Sequence, residues 1–107
     1  MNLWEQYNPD QSLGSLLGSV TSLPLTQCSD KALFEALKRH LTRKELRCWS
    51  MAQSGRTAEA IAEETGFVSS DVEKALQKSA KKLRQPKLQQ EFRTLLAAGD
   101  EAEDEEA

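Results

Sequence analysis

The sequence predicts an all-α fold, a small helical bundle that ends in a disordered acidic C-terminal tail. Three observations point there. Apolar residues recur at steps of three and four from Ala32 onward. Serine or threonine stands where helices would begin, and Gly55, Gly66 and Gly99 stand where they would stop. Finally, Asp100 to Glu106 holds six acidic residues and too little apolar surface to offset the entropy of ordering it.

The elements follow in chain order. Residues 1–28 carry Pro9, Pro24, Gly14, Gly18 and many serines. They read as an N-terminal arm in which Leu13, Leu16, Leu17 and Val20 place one short helix. Trp4 and Tyr7 are expected to cover the edge of the core. The arm's leucines exceed what a disordered segment needs, which marks it as a surface for a partner or a second copy. A domain over residues 29–98 then begins with Ser29 capping a helix whose apolar face is Ala32, Leu33, Phe34, Ala36, Leu37 and Leu41. Thr42-Arg43-Lys44-Glu45 is a capping box: the threonine oxygen accepts an amide proton three residues on, and Glu45 reaches back. Leu46, Trp49, Met51 and Ala52 form the apolar side of the helix it opens, and Gly55 closes that helix.

Thr57 caps the next helix, which buries Ala58, Ile61 and Ala62 and stops at Gly66, with Phe67 and Val68 filling the turn. Ser70-x-x-Glu73 reads as a second capping box opening a helix over residues 70–84. Its expected core face is Val72, Ala75, Leu76, Ser79, Ala80 and Leu83, and Pro86, which lacks an amide donor, stops it. Leu88, Phe92, Leu95 and Leu96 predict a last short helix before the tail at residues 99–107.

Charge is segregated along this layout. All 14 Lys and Arg fall between Lys31 and Arg93; against nine acids from Asp30 to Arg93 they leave an excess of five positive charges, although the whole chain is at −3. A basic body beside an acidic tail suits contact with a polyanion, with the tail as an intramolecular competitor. No apolar run reaches the roughly 20 residues of a membrane span, and Ser12 to Leu25 lacks the basic flank of a signal peptide. The expected location is cytoplasmic, with no membrane partner. Cys28 and Cys48 are therefore expected reduced and buried, and with His40 they match no metal-ligand spacing. There is no nucleophile-plus-base arrangement and no glycine-rich phosphate loop. The chain is not expected to be an enzyme or to carry a cofactor or metal.

The two helices joined at Gly66 have the layout of a helix-turn-helix, whose second helix enters the major groove of double-stranded DNA. Ser69, Ser70, Asp71, Glu73, Lys74, Gln77 and Lys78 would then face the groove. Arg56, Thr57, Lys81 and Arg84 would meet phosphates, and Lys82 belongs to the same basic stripe. Ala58, Ala62 and Gly66 are expected to let the two helices approach closely.

Thr57-Ala58-Glu59-Ala60-Ile61-Ala62, Val72 and Ala80-Lys81-Lys82-Leu83-Arg84-Gln85-Pro86 resemble region four of bacterial primary sigma factors, gaplessly from Leu41 to about Leu96. The segment is also similar to LuxR-type regulator domains through Leu41-Thr42, Glu45, Gly55, Ile61-Ala62, Gly66, Val72 and Lys82-Leu83. Either resemblance implies DNA binding by the helix over 70–84 and a transcriptional regulator, in one arrangement a homodimer. The groove-facing arginines and glutamate of sigma region four are replaced here by Ser69, Ser70 and Glu73, and its glutamine by Lys74. That departure keeps an alternative open: a protein-interaction module that mimics sigma region four and docks on RNA polymerase or a sigma factor without reading DNA sequence.

Overall fold

The computed structural model describes residues 2–106, and the side chains of residues 2–98. Among the described residues there are seven α-helices, one short 3-10 turn and no strand. The helices are α1 (Leu3–Tyr7), α2 (Leu13–Thr21), α3 (Asp30–His40), α4 (Arg43–Gln53), α5 (Ala58–Thr65), α6 (Ser69–Leu83) and α7 (Pro86–Glu106), with the 3-10 turn at Leu25–Gln27. The all-α expectation holds. The tail expected at residues 99–107 lies outside the described side chains.

Local signals placed most helix ends correctly. Ser29 accepts from the Ala32 amide and Thr57 from the Ala60 amide. Thr42 and Glu45 close a full capping box, with the Glu45 amide donating to Thr42 Oγ1 at 3.1 Å and the Thr42 amide to Glu45 Oε1 at 2.9 Å. Gly66 ends α5 in the left-handed region, at φ +82°. A Cβ there would meet nothing within 4 Å, so this glycine serves the turn and not a close approach of helices.

The start of α6 differs from the expectation. It opens at Ser69, with Val68 as its N-cap residue and no side-chain cap. The Val68 carbonyl already accepts from the Asp71 and Val72 amides at 2.9 and 3.0 Å, so the first turn closes ahead of the Ser70-x-x-Glu73 pattern. Ala80, expected in the buried face, is exposed, whereas Val72, Ala75, Ser79 and Leu83 are buried and Leu76 is half-buried. Pro86 does not stop α6, which has ended at Leu83 with Arg84 as its cap. It instead begins α7, where a fixed φ suits the first helical position and no amide is needed. α7 then runs through Gly99, which was expected to stop it, as far as Glu106, so the last helix is long, not short.

Two apolar clusters make the core. One gathers Trp4, Leu13, Leu17, Leu25, Leu33, Leu37, Leu88 and Phe92 from α1, α2, the 3-10 turn, α3 and α7. The other holds Cys48, Met51, Ile61, Val72 and Ala75 from α4, α5 and α6. α4 is the wall between them, sending Leu46 and Trp49 to the first and Cys48 and Met51 to the second. A helix buried on several sides is central to its fold. Cys28 and Cys48 are both buried, as expected, and sit in different clusters with no disulfide between them.

Residues 2–28 are built into this core. Trp4 is 1 % exposed, its ring lies 5.3 Å from that of Trp49, and its Nε1 donates to the Gln11 carbonyl at 2.9 Å. It fills the interior and does not cover an edge. Asn8 Nδ2 donates to the Ser50 carbonyl, 42 residues along, at 2.9 Å. Leu13 and Leu17 are fully buried and Leu16 and Leu23 pack on the same cluster, so the leucines expected to meet a partner are used internally; Val20 stays exposed. Asp30, the first residue of α3, accepts from the Leu13 and Gly14 amides at 3.1 and 3.3 Å. A carboxylate there complements the positive end of α2. Gly14 lets the 3-10 turn approach: a Cβ on it would stand 2.5 Å from the Leu25 carbonyl oxygen.

Candidate functional site

α6 is amphipathic by construction. Its buried residues fall at Val72, Ala75, Ser79 and Leu83, spaced three to four apart, and dock against α4 and α5. Ser79 fits this apolar face because its hydroxyl donates to the Ala75 carbonyl at 2.8 Å and also approaches the Glu45 carbonyl at 3.4 Å. The opposite side then presents Ser70, Lys74, Gln77, Lys78 and Lys81, all exposed. Ser69 at the helix start, Arg84 at its end and Thr57 at the start of α5 are exposed too. Among the described residues no ion pair engages Lys74, Lys78 or Lys81.

Two of the expected site residues are occupied inside the fold. Lys82 is half-buried, and its Nζ donates to Glu45 Oε1 at 2.6 Å. That carboxylate is the one already closing the α4 capping box, so a single oxygen ties α6 to the start of α4. Burial pushes the Glu45 carboxyl up, but the Lys82 hydrogen bond, the Thr42 amide and the attraction of the ammonium outweigh it and leave it below its ordinary value. Arg56 is likewise held: Nε donates to Glu64 Oε1 at 2.9 Å, and the guanidinium lies 5.2 Å from the centre of the Tyr7 ring.

Lys44, absent from the expected set, stands beside the start of α6. Its Nζ is 3.6 Å from Asp71 and 4.7 Å from the centre of the Phe67 ring. One of the two acids expected to face the groove is thus paired from α4, and the residue before Val68 is clamped by the same ammonium. Glu73 is exposed and takes part in no ion pair among the described residues. Beyond it, the outer side of α5 carries exposed Glu59, Glu63 and Glu64. Exposed charge is thus mixed across the two helices, basic along the α6 lysine row and acidic at Glu73 and on α5, where Glu64 is paired with Arg56. The Lys44–Asp71 pair was hidden because it links residues 27 positions apart in chain order. A basic residue at the first turn of α4 was the available signal.

The remaining titratable clusters support the fold. Glu91 on α7 receives Arg39 at 3.0 Å and His40 at 3.4 Å. Burial raises its carboxyl, yet the hydrogen bonds and charges of those two residues bring it below the usual range. Burial raises the Cys48 thiol, opposed by the charges of Lys44 and Arg47. Among the described residues no group of three His, Cys, Asp or Glu is placed to hold a metal ion, and no helix is long and apolar enough to cross a membrane. A groove of 680 Å³ lies along α1, α3 and the start of α4, floored by Phe34, Leu41 and Leu46 and rimmed by Lys31, Lys38 and Arg43. No α6 residue lines it.

Compared with known proteins, the chain matches no protein-family model, no curated sequence and no solved structure.

Proposed function

We propose that this chain is a DNA-binding transcriptional regulator that lays the exposed side of α6 in the major groove of double-stranded DNA, with α5, the Gly66 turn and α6 acting as a sigma-region-four-like helix-turn-helix. The observation that carries this reading is the row Lys74, Lys78 and Lys81, exposed and unengaged by ion pairs among the described residues, along a helix anchored from behind by Val72, Ala75 and Leu83. A helix with its side chains is about 10–12 Å across, which matches a groove about 12 Å wide. Ser69, Ser70 and Gln77 supply hydroxyls and an amide for base edges, and the lysines, Thr57 and Arg84 supply the phosphate contacts. Arg56 and Lys82 leave the contact set because Glu64 and Glu45 hold them. Two copies on a two-fold site would set half-sites one helical turn apart.

The test is a salt titration of the full chain on a short random-sequence duplex, followed by fluorescence anisotropy. Four neutralised phosphates, one for each of Lys74, Lys78, Lys81 and Arg84, give a slope of log K against log salt of about −3.6. Changing both Lys78 and Lys81 to glutamate abolishes binding while stability stays within about 0.5 kcal/mol. No affinity at low salt overturns the reading.

The acidic outer side of α5 favours a second reading. Exposed Glu59 and Glu63 on α5, like exposed Glu73 on α6, repel phosphate and suit a basic protein surface. In that case the chain docks on RNA polymerase or a sigma factor, and Glu59→Lys with Glu63→Lys weakens the docking while leaving duplex affinity the same or higher.

A further inference from the structure

Val68 is the more exposed of the two large hydrophobic side chains that the described residues leave in solvent, at 63 % against 45 % for Val20. It occupies the tip of the α5–α6 turn, next to the exposed hydroxyls of Ser69 and Ser70 and at the same end of α6 as Lys74. The position breaks two local rules at once. A polar residue there would cap α6, as Asn2, Ser12, Ser29, Thr42 and Thr57 cap the first five helices, and it would not leave a branched apolar side chain in water. Breaks in local consistency of this kind concentrate at functional positions.

The turn also holds that side chain firmly. Gly66 fixes the exit from α5, the Phe67 amide donates to Thr65 Oγ1 at 3.2 Å, and the Lys44 ammonium covers the Phe67 ring. On the Val68 carbonyl, two amides of α6 converge. A valine on a fixed backbone has little rotamer freedom left to lose.

We infer that Val68 is a specificity-determining residue that reads the 5-methyl group of thymine in the major groove. This rests on the DNA reading above and narrows it to duplexes with a thymine at one defined position. Thymine is the base whose major-groove edge carries a methyl group, and apolar side chains recognise it by contact. Val68 stands at the N-terminal end of α6, the end with which a recognition helix meets base edges, and the lysines follow about two to three and a half turns further along, where phosphate contacts are made.

The experiment selects duplexes from a random pool with the full chain, then replaces each thymine of a selected duplex by deoxyuridine, which removes the methyl and keeps the base pair. One position is expected to lower wild-type affinity about fourfold, the effect of leaving one methyl group unburied. The Val68→Ser variant, which removes both valine methyls and restores a capping hydroxyl, folds at least as well and no longer distinguishes the two bases there. Wild-type binding that is indifferent to every deoxyuridine, or a sensitivity that persists in Val68→Ser, overturns the inference while leaving DNA binding intact. A pool from which no duplex is retained at low salt overturns the DNA reading, and this inference with it.

Discussion

Lys82 and Glu45 are joined across α6 and α4 at 2.6 Å, and the oxygen that accepts the ammonium also accepts the Thr42 amide. Side-chain exposures of 28 % and 6 % set this pair apart from a surface ion pair. Lys82→Ala strands a carboxylate that is mostly out of water and is expected to destabilise the fold by about 1–2 kcal/mol, discounted from a fully buried pair for the exposure of the lysine. Urea unfolding measures it.

The pH dependence follows from the same site. Glu45 and Glu91 both lie below their ordinary values, so their contribution is complete above the unfolded carboxylate value of about 4.3 and is lost as pH falls through the lower folded values. Stability is therefore expected to be flat from neutral pH down to about 5 and to decline below about 4. Glu45→Gln lowers the plateau and shallows the decline. A titration from pH 7 to 3 with urea midpoints at each step checks both.

Asp71 carries the charge that Lys44 neutralises. Asp71→Asn removes a negative group from the start of α6 and releases Lys44 to the solvent, a change of one unit toward positive at the candidate surface. Affinity for a random duplex at low salt is expected to rise about threefold or more, and the salt slope to steepen by about one phosphate. The helix loses a favourable N-terminal charge, about 0.3–1 kcal/mol.

Gly14 and Gly66 answer differently to the same substitution. At Gly14 the added methyl meets the Leu25 carbonyl, a backbone atom that cannot swing away, and Gly14→Ala is expected to cost about 2–3 kcal/mol. At Gly66 the space is open and the strain is conformational, so Gly66→Ala costs about 1 kcal/mol. Thermal unfolding of the two variants side by side gives the ranking.

The parts of the fold visible in the sequence are those decided within four residues. Thr42 with Glu45, Thr57 with Ala60, Ser29 with Ala32 and the left-handed Gly66 are local, and each stands where spacing put it. The exposed row Lys74, Lys78 and Lys81 is local too, since helical period alone sends it away from Val72 and Leu83. Hidden were the relations set by packing. Nothing near Lys82 announces Glu45, 37 positions earlier, and nothing near Trp4 announces Trp49. At the start of α6 a persuasive motif misled, because Ser70 and Glu73 have the right spacing but the Val68 carbonyl closes the turn first.

The joining of Trp4 to Trp49 and of Asn8 to the Ser50 carbonyl has a consequence for the order in which the molecule assembles. Residues 4–8 have no home until α4 exists, so during synthesis they wait for a helix made some forty residues later. A nascent chain halted before residue 49 exposes Trp4 to water. Extension through α4 shields that indole, and its fluorescence reports the moment when α1 and α4 meet.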